Sequence, residues 1–586
     1  MASRTLYQVL SETAAVYGDL PALHQPDGGG YLTYTWKAYL RAAEEIAMGL
    51  SALGVGKGQV VGLDSETRLE FYLADMGTLA NGSIAAALYP TYPAHDLVRT
   101  LENTGAVAAF VENVEVFQAL RAAPVRYWIL LTGKAEGAMT LSALRAVGRD
   151  AMVADPEWRR RLSQRTSPND PAVLYLTSGA TGEPKMALVT HHSIVSNIDM
   201  GPAVLPLGPD DATIAFLPSA HIAQRVVVEF LMLRCGTPVY FSESLLRLPQ
   251  EIRSVRPTIL LAPPRMWERI YSSICTELRK RPAPLRKAFY GALAMALAAA
   301  RYRHAGKPVP LRLRIPLRLA DRVMFHQIRQ RFGGRVRIAA SGAAPLGKQL
   351  AEFYDAIGMP LIEGYGLTEG GVLTMNPLDK PTPGSIGKAL APSVELRISE
   401  DGELLASSPT LFSGYWHDPA TTAEVLRDGW LHTGDLACIG DDGYVYITGR
   451  KKELIVSSTG KKVYPARLES LFKMEPLVNH VLLIGDRLPY VVALLTLNPA
   501  SAQTLKGMDQ WQGPIAHAPA VQAEMRKAVA RVNKQLAPFE QIRKYRILDR
   551  EFSIDSGELT ATMKVRRIQA MQNFEREIAE LYAGRE

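Results

Sequence analysis

Residues 174–185 read Leu-Tyr-Leu-Thr-Ser-Gly-Ala-Thr-Gly-Glu-Pro-Lys. A short apolar run (Val173, Leu174, Leu176) breaks into small and hydroxylated residues closed by Pro184 and Lys185. That punctuation predicts a strand ending in a loop. Gly179 and Gly182 lack Cβ atoms, so backbone N–H groups can come close to an anion. Thr177, Ser178 and Thr181 add hydroxyl donors, and Lys185 adds a fixed positive charge. Phosphate is the guest this chemistry suits. The Walker A pattern does not fit, because Pro184 precedes the lysine and Met186 follows it where Ser or Thr is required.

Further polar blocks follow in order: Ser341-Gly342-Ala343-Ala344-Pro345-Leu346, Glu363-Gly364-Tyr365-Gly366-Leu367-Thr368-Glu369, Asp428 through Asp435 (DGWLHTGD), Gly449-Arg450-Lys451-Lys452-Glu453, and Leu559 through Lys564 (LTATMK). With the loop, these six blocks resemble the acyl- and aryl-adenylate-forming superfamily, which includes acyl-CoA synthetases, peptide-synthetase adenylation domains and luciferases. The family's usual loop is TSGTTGxPKG; here Ala180 replaces a Thr and Met186 the final Gly. Ala343 likewise replaces a Gly of the SGGAPL block.

The resemblance implies a role for each block. A carboxylate is a poor electrophile, and its attack on the α-phosphate of ATP makes an acyl-AMP with a good leaving group; a thiolate then displaces AMP. Charge crowds around phosphorus in the first step, so positioning and electrostatics should carry the catalysis. Lys185, with Thr177, Ser178, Gly179, Thr181 and Gly182, would hold the β- and γ-phosphates, and Thr368 would touch the α-phosphate. Lys564 would neutralise charge between the carboxylate and the α-phosphate. Glu369 would be the Mg²⁺ carboxylate, oxygen being the ligand of a hard cation. Asp435 would take the ribose hydroxyls, with Arg450 nearby. Tyr365, within Glu363-Gly364-Tyr365-Gly366, would stack on adenine beside Ala343, Ala344 and Pro345. His221, at the end of Phe216-Leu217-Pro218-Ser219-Ala220-His221, would line the acyl-carboxylate pocket; a carboxylate nucleophile needs no general base. Lys452 would be the hinge. Ser458, Thr459 and Gly460 would border the CoA channel, with Thr459 standing where relatives often have Gly.

These residues need a scaffold. A chain of 586 residues exceeds one core, and 47% hydrophobic with 21% charged residues marks a globular protein. Alternating helical patterns and short apolar runs over residues 35–370 predict α/β layering. After residue 380 the runs shorten, and Asp401-Gly402, Asp428-Gly429 and Asp442-Gly443 signal hairpins of a small β-barrel or sheet. The texture shifts again near residue 450, where two apolar strands and helical segments begin. Val565, Ile568, Met571, Phe574, Ile578 and Leu581 recur at helical spacing and predict one amphipathic helix. The expected architecture is α/β. Residues 1–449 form a large N-terminal domain of layered α/β subdomains plus the small β-barrel. Residues 450–586 form a small, mobile α+β C-terminal domain carrying Lys564.

Cys235, Cys275 and Cys438 are widely spaced and suggest neither a zinc site nor a disulfide framework. No secretory signal or membrane span is expected, so a cytoplasmic setting fits. The net charge of +8 is uneven: Arg301 to Arg337 holds eleven Lys/Arg and a single acid, Asp321. Such a block suits anionic lipid, an anionic cofactor or plain solvation; nucleic acid ranks last, because no motif with interleaved aromatics accompanies it. The basic insert at 281–337 and the segment Phe325 through Arg335 resemble those of the long-chain acyl-CoA synthetase branch. That branch implies fatty acid, ATP and coenzyme A as substrates, with peripheral contact through 301–337 at the inner face of an anionic membrane. The alternatives are an acyl-AMP ligase that loads a carrier protein, and a catalytically silent nucleotide-binding relative. Intact Lys564 and Glu369 weigh against the second.

Overall fold

The structure is a computed structural model that describes residues 3–178, 184–560 and 563–583. Two large mixed sheets dominate it. The eight-stranded sheet runs, in spatial order, Gly414–Tyr415, Pro184–Thr190, Pro171–Ser178, Ile84–Ala87, Val60–Asp64, Ala108–Val111, Tyr127–Leu130 and Met139–Thr140. Its last six strands are parallel, and the Pro171–Ser178/Pro184–Thr190 pair is an antiparallel hairpin. The nine-stranded sheet carries Thr213–Ala215, Ile259–Ala262, Ile338–Ser341 and Leu361–Leu367 in parallel, then turns antiparallel into Gly371–Met375. Helices such as Leu69–Ala80, buried along its whole length, pack against the sheets. With both faces covered, the inner strands read as continuous apolar runs rather than alternating ones.

The region after residue 390 contributes a five-stranded antiparallel sheet. Each Asp-Gly pair turns a hairpin there. Asp428 and Gly429 both take positive φ (50° and 78°), the geometry a two-residue hairpin turn needs. Asp401-Gly402 and Asp442-Gly443 join the neighbouring pairs, with the glycines at φ 86° and 79°.

Residues 455–583 build a separate sheet from Val478–Ile484, Val491–Leu497 and Ile542–Ile547. Its side chains alternate between two cores. Leu483, Ala493 and Leu495 face Val521, Met525 and Val532 of the helix Pro519–Asn533, whereas Leu482, Val492 and Leu494 face Phe552, Phe574 and Leu581.

One expectation fails here. The apolar repeat at 565–581 is not a single helix: Val565 bridges Leu559, and the chain forms Arg567–Asn573 and Glu575–Ala583, broken at Phe574 (φ −119°, ψ 28°). The break seats the buried Phe574 ring 4.6 Å from the Arg550 guanidinium and 5.8 Å from Phe552. Ile568 and Met571 are left exposed. Packing of one ring has overridden the local period.

Candidate active site

The phosphate-loop hairpin springs from the edge of the eight-stranded sheet. Thr177 pairs with Lys185 across it, and the Thr177 hydroxyl donates to the Lys185 carbonyl at 3.4 Å. Gly179, Thr181 and Gly182 lie outside the described residues, as does the side chain of Ser178. The half-buried Lys185 sets its ammonium 5.1 Å from the centre of the Tyr415 ring. Tyr415 in turn donates to Glu369 Oε1 at 2.6 Å. Burial and the Glu369 carboxylate together push the Tyr415 hydroxyl pKa far up, so it stays a donor. One tyrosine thus ties the loop lysine to the acid.

Thr368 and Glu369 sit in the tight turn between Leu361–Leu367 and Gly371–Met375. Gly366 is obligatory there, since a Cβ would fall 2.2 Å from the Gly371 carbonyl oxygen. Upstream on the same strand, the buried Glu363 turns its carboxyl onto the Leu346 N–H (3.0 Å). Burial raises its pKa to about 8. Its side chain therefore anchors the 342–346 segment to the strand. Gly342 lies against the same strand, and Ala343, Ala344 and Pro345 follow. Ala343 adopts φ 68°, a left-handed conformation that suits the Gly it replaces.

Asp435 lies in Trp430–Ile439, directly paired with Arg450 on Val445–Arg450. It is 5% exposed, and its two oxygens have one partner each: Tyr365 Oη donates to Oδ2 at 2.7 Å, and Arg450 Nε to Oδ1 at 2.8 Å. A carboxylate accepts about four hydrogen bonds, so each oxygen keeps one site open. Gly364, Tyr365 and Gly366 run beneath this carboxylate. Next to Arg450, the turn Lys451–Glu453 follows; Lys451 pairs with Asp401 and, at 3.2 Å, with Glu403, while Lys452 is exposed.

Lys564 comes from the C-terminal sheet region on a tight loop: Lys564 N donates to Thr560 Oγ1 (3.1 Å) and Thr560 N to the Lys564 carbonyl (2.8 Å). Met563 stands at φ 63°. The loop is braced from behind by Glu558. Burial opposes its charge, but Arg550, Asn573 and Ser556 hold the carboxyl at about 2. Lys564 keeps access to water yet is crowded by protein on all sides, which lowers its pKa to about 8. Arg450 shares in that fall, and Asp435 and Glu453 work in the opposite direction. The charge of the same ammonium is felt at His221, whose pKa falls to about 3 through burial first and Lys564 second. His221 is therefore neutral, and because Nδ1 accepts from Ala223 N (3.1 Å), its proton sits on Nε2.

Lys564, Asp435, Arg450 and His221 thus share one electrostatic neighbourhood built from distant parts of the chain. Contacts along the helix Pro264–Arg279 hold the C-terminal sheet region in this pose. Lys473 pairs with Glu268 at 3.0 Å, Thr276 meets Ser501 at 3.0 Å, and Arg265 grips Asn479. Ser458, Thr459 and Gly460 fall elsewhere, in an exposed turn between Ile455–Val456 and Lys462–Val463, with Gly460 at φ 76°. No contact among the described residues joins them to Asp435.

Several residues escaped sequence reasoning. Tyr415 carried no signal beyond lying near an Asp-Pro pair. Asp75, Arg225 and Glu229 are fully buried together beside Tyr175 of the loop-bearing strand. Burial, then Asp75, raises the Glu229 pKa well above the ordinary range, while Arg225 pairs with Asp75. Polar residues inside the apolar stretch 222–233 were the available clue. The Arg225 N–H caps the His221 carbonyl at 3.1 Å, which fixes where the histidine begins its turn.

Glu369 fits a magnesium ion: its second oxygen is not used by Tyr415, and Mg²⁺ commonly takes one or two carboxylates with the rest from phosphate oxygens and water. Among the described residues no group of three or more His, Cys, Asp or Glu side chains gathers into a protein-only metal cage.

The profile of the AMP-binding enzyme family matches residues 10–416, and that of the AMP-binding enzyme C-terminal domain matches residues 452–586. The long-chain-fatty-acid–CoA ligase FadD15 of Mycobacterium tuberculosis is 34% identical over 93% of this chain and 90% of its own length. The long-chain-fatty-acid–CoA ligase ACSBG2 of Gallus gallus is 28% identical over 99% of the chain and 82% of its own. Among solved structures, the adenylation domain of a carboxylate reductase from Mycobacterium chelonae superposes with a TM-score of 0.78 at 22% identity, covering 100% of this chain and 92% of that one. An anthranilate CoA ligase in complex with anthranoyl-AMP gives 0.74 at 19% identity, covering 99% of both.

Proposed function

The chain belongs to the AMP-binding enzyme family, and we propose that it activates a medium- or long-chain fatty acid as acyl-AMP and transfers the acyl group to coenzyme A. The observation that carries the reading is the convergence of Lys564 with Asp435, Arg450 and His221.

In the first half-reaction a carboxylate oxygen bonds to the α-phosphorus of ATP and the bond to pyrophosphate breaks. Lys564, largely protonated at neutral pH, offsets the charge that builds between the two anions. Asp435 accepts from the ribose hydroxyls through its open lone pairs, and the Tyr365 ring, tied to it, is available to adenine. Lys185 with Thr177 and the loop donors takes the β- and γ-phosphates, and Thr368 the α-phosphate. Glu369, oriented by Tyr415, would hold Mg²⁺, which supplies charge neutralisation at the phosphates. Neutral His221 presents Nε2–H to the acyl carboxylate as a hydrogen-bond donor. In the second half-reaction the thiolate of CoA bonds to the acyl carbon and the bond to AMP breaks.

We propose that the second step uses a different pose, in which Lys564 withdraws from the α-phosphate. We assign residues 1–449 and 450–586 as the two domains and Lys452 as the pivot, with Ser458, Thr459 and Gly460 carried toward the site to border the pantetheine. The basic segment 301–337 is proposed as a surface for anionic lipid.

Incubating the enzyme with ATP, labelled acids of graded length and either CoA or a holo-carrier protein tests the assignment. Acyl-CoA and AMP are expected as products. Label appearing on the carrier protein and not on CoA would replace the proposal with the carrier-loading alternative.

A further inference from the structure

The basic residues of the segment 301–337 are not alike. Arg303, Arg329, Arg331 and Arg337 are already paired, with Asp355, Asp321, Glu277 and Asp211 respectively. Arg312, Arg314, Arg318 and Arg322 have no acidic partner among the described residues. Three of these lie on the helix Leu311–Ala320, which also carries three of the most exposed large apolar side chains of the molecule: Leu311 (69%), Ile315 (67%) and Leu319 (67%). Val323, in the π-helical turn that follows, is exposed as well.

Spacing of four residues puts Leu311, Ile315 and Leu319 in one row, about 12 Å long at a rise of ~1.5 Å per residue. At ~100° per residue, Arg314 and Arg318 flank one side of that row and Arg312 the other. The opposite side of the helix, Leu313, Leu317 and Ala320, turns toward the protein. Beneath it opens a cleft of about 760 Å³ lined by Ala299, Arg303, Leu317 and Phe325, with Arg314 and Arg318 among its walls. The outward face is therefore an apolar ridge with cations that lack acidic partners on both edges, and the cleft behind it mixes arginines with Asp321 and Asp355.

We infer that this face docks on an anionic phospholipid bilayer, with Leu311, Ile315 and Leu319 seated among the acyl chains and Arg312, Arg314 and Arg318 holding headgroup phosphates. This rests on the lipid-facing role proposed above for 301–337 and names the residues that perform it. Arginine suits the place, because its stem lies along apolar surface while the guanidinium stays at the phosphate level. A second copy of this chain is a poor occupant, since it would set unpaired arginines against their equivalents. A ridge of three side chains is also small beside the roughly 800 Å² per partner of a stable protein interface.

The test uses the full chain, the variant Leu311→Gln/Ile315→Gln/Leu319→Gln and the variant Arg314→Gln/Arg318→Gln. Each is sedimented with vesicles of phosphatidylcholine alone and of phosphatidylcholine mixed with phosphatidylglycerol. None of the replaced residues belongs to the catalytic machinery, so ATP–pyrophosphate exchange with a water-soluble acid should be unchanged and reports folding. The native chain should bind the anionic vesicles and lose them at high salt. The arginine variant should bind about 30-fold more weakly, two interfacial charges having gone, and the ridge variant about 100-fold more weakly. If the ridge variant binds as the native chain does while the arginine variant fails, the ridge inference is overturned and only the broader basic surface survives. A native chain that binds neither vesicle overturns both. A native dimer in sedimentation velocity that dissociates in the ridge variant, with no vesicle binding, assigns the face to a second copy and likewise overturns it. Exchange activity that is absent from the native chain would count against the function proposed above and leave the vesicle result standing.

Discussion

Replacing Lys564 by alanine isolates the charge on which the first half-reaction is built. The side chain makes no hydrogen bond to Asp435, Arg450 or Tyr365, whose mutual bonds of 2.7 and 2.8 Å should remain in its absence. ATP affinity should therefore hold. The loop is also held by its backbone and by Glu558, so folding should survive. A unit charge ~4 Å from developing charge interacts by about 4 kcal/mol at an effective dielectric of ~20. Because Lys564 has access to water, half of that is a fairer lower bound. The expected loss in acyl-AMP formation is then about 30- to 1,000-fold, within the range seen when one preorganised donor is removed. The folded pKa of about 8 adds a second signature. The ammonium is the working form, so native adenylation should fall as pH rises through about 8, dropping roughly tenfold from pH 7 to pH 9. That basic limb should vanish from the residual rate of Lys564→Ala. Single-turnover formation of labelled acyl-AMP, beside thioester formation from supplied acyl-AMP, measures both effects. Equal loss in the two half-reactions, or a basic limb that persists in the variant, would refute the role given to Lys564.

Other expectations follow from the same geometry. Asp435→Ala removes a charge-assisted contact to ribose and leaves Arg450 unpaired, so calorimetry should show ATP binding weakened by roughly 2–3 kcal/mol; unchanged binding would make Asp435 a structural partner of Tyr365 and Arg450. Tyr415→Phe deletes the 2.6 Å bond to Glu369, and the KM for magnesium-ATP should rise about fivefold, for about 1 kcal/mol lost. Should KM stay put, Glu369 needs no orientation by Tyr415. Lys452→Pro fixes φ and removes an N–H at the proposed pivot, and should slow CoA-dependent release of AMP more than adenylation; undiminished turnover argues against alternation of poses. Ala343→Gly relieves left-handed strain of about 1–2 kcal/mol against about 0.5–1 kcal/mol of added chain entropy, so the urea midpoint should move up. A fall in that midpoint would show that the strain is not there.

The sequence by itself determined what depends on neighbours along the chain. The Asp-Gly pairs demand positive φ locally and turned hairpins wherever they occurred. The apolar runs after residue 450 announced two strands, and both are there. The order of the polar blocks was enough to identify the family. Only the tertiary structure decided which of those blocks meet. Tyr365 and Asp435 are 70 residues apart and share one hydrogen bond because two separate sheets bring them together. Lys185 reaches Glu369 through Tyr415, a residue that local pattern leaves anonymous. The basic run at 301–337 showed cationic and apolar residues interleaved but not which were partnered; folding paired four of its arginines with acids from other elements or other turns and left those beside Leu311, Ile315 and Leu319 without acidic partners. The helical period at 565–581 yielded to the packing of Phe574. In each case the deciding energy is a contact between residues distant in sequence, and chain neighbours carry no record of it.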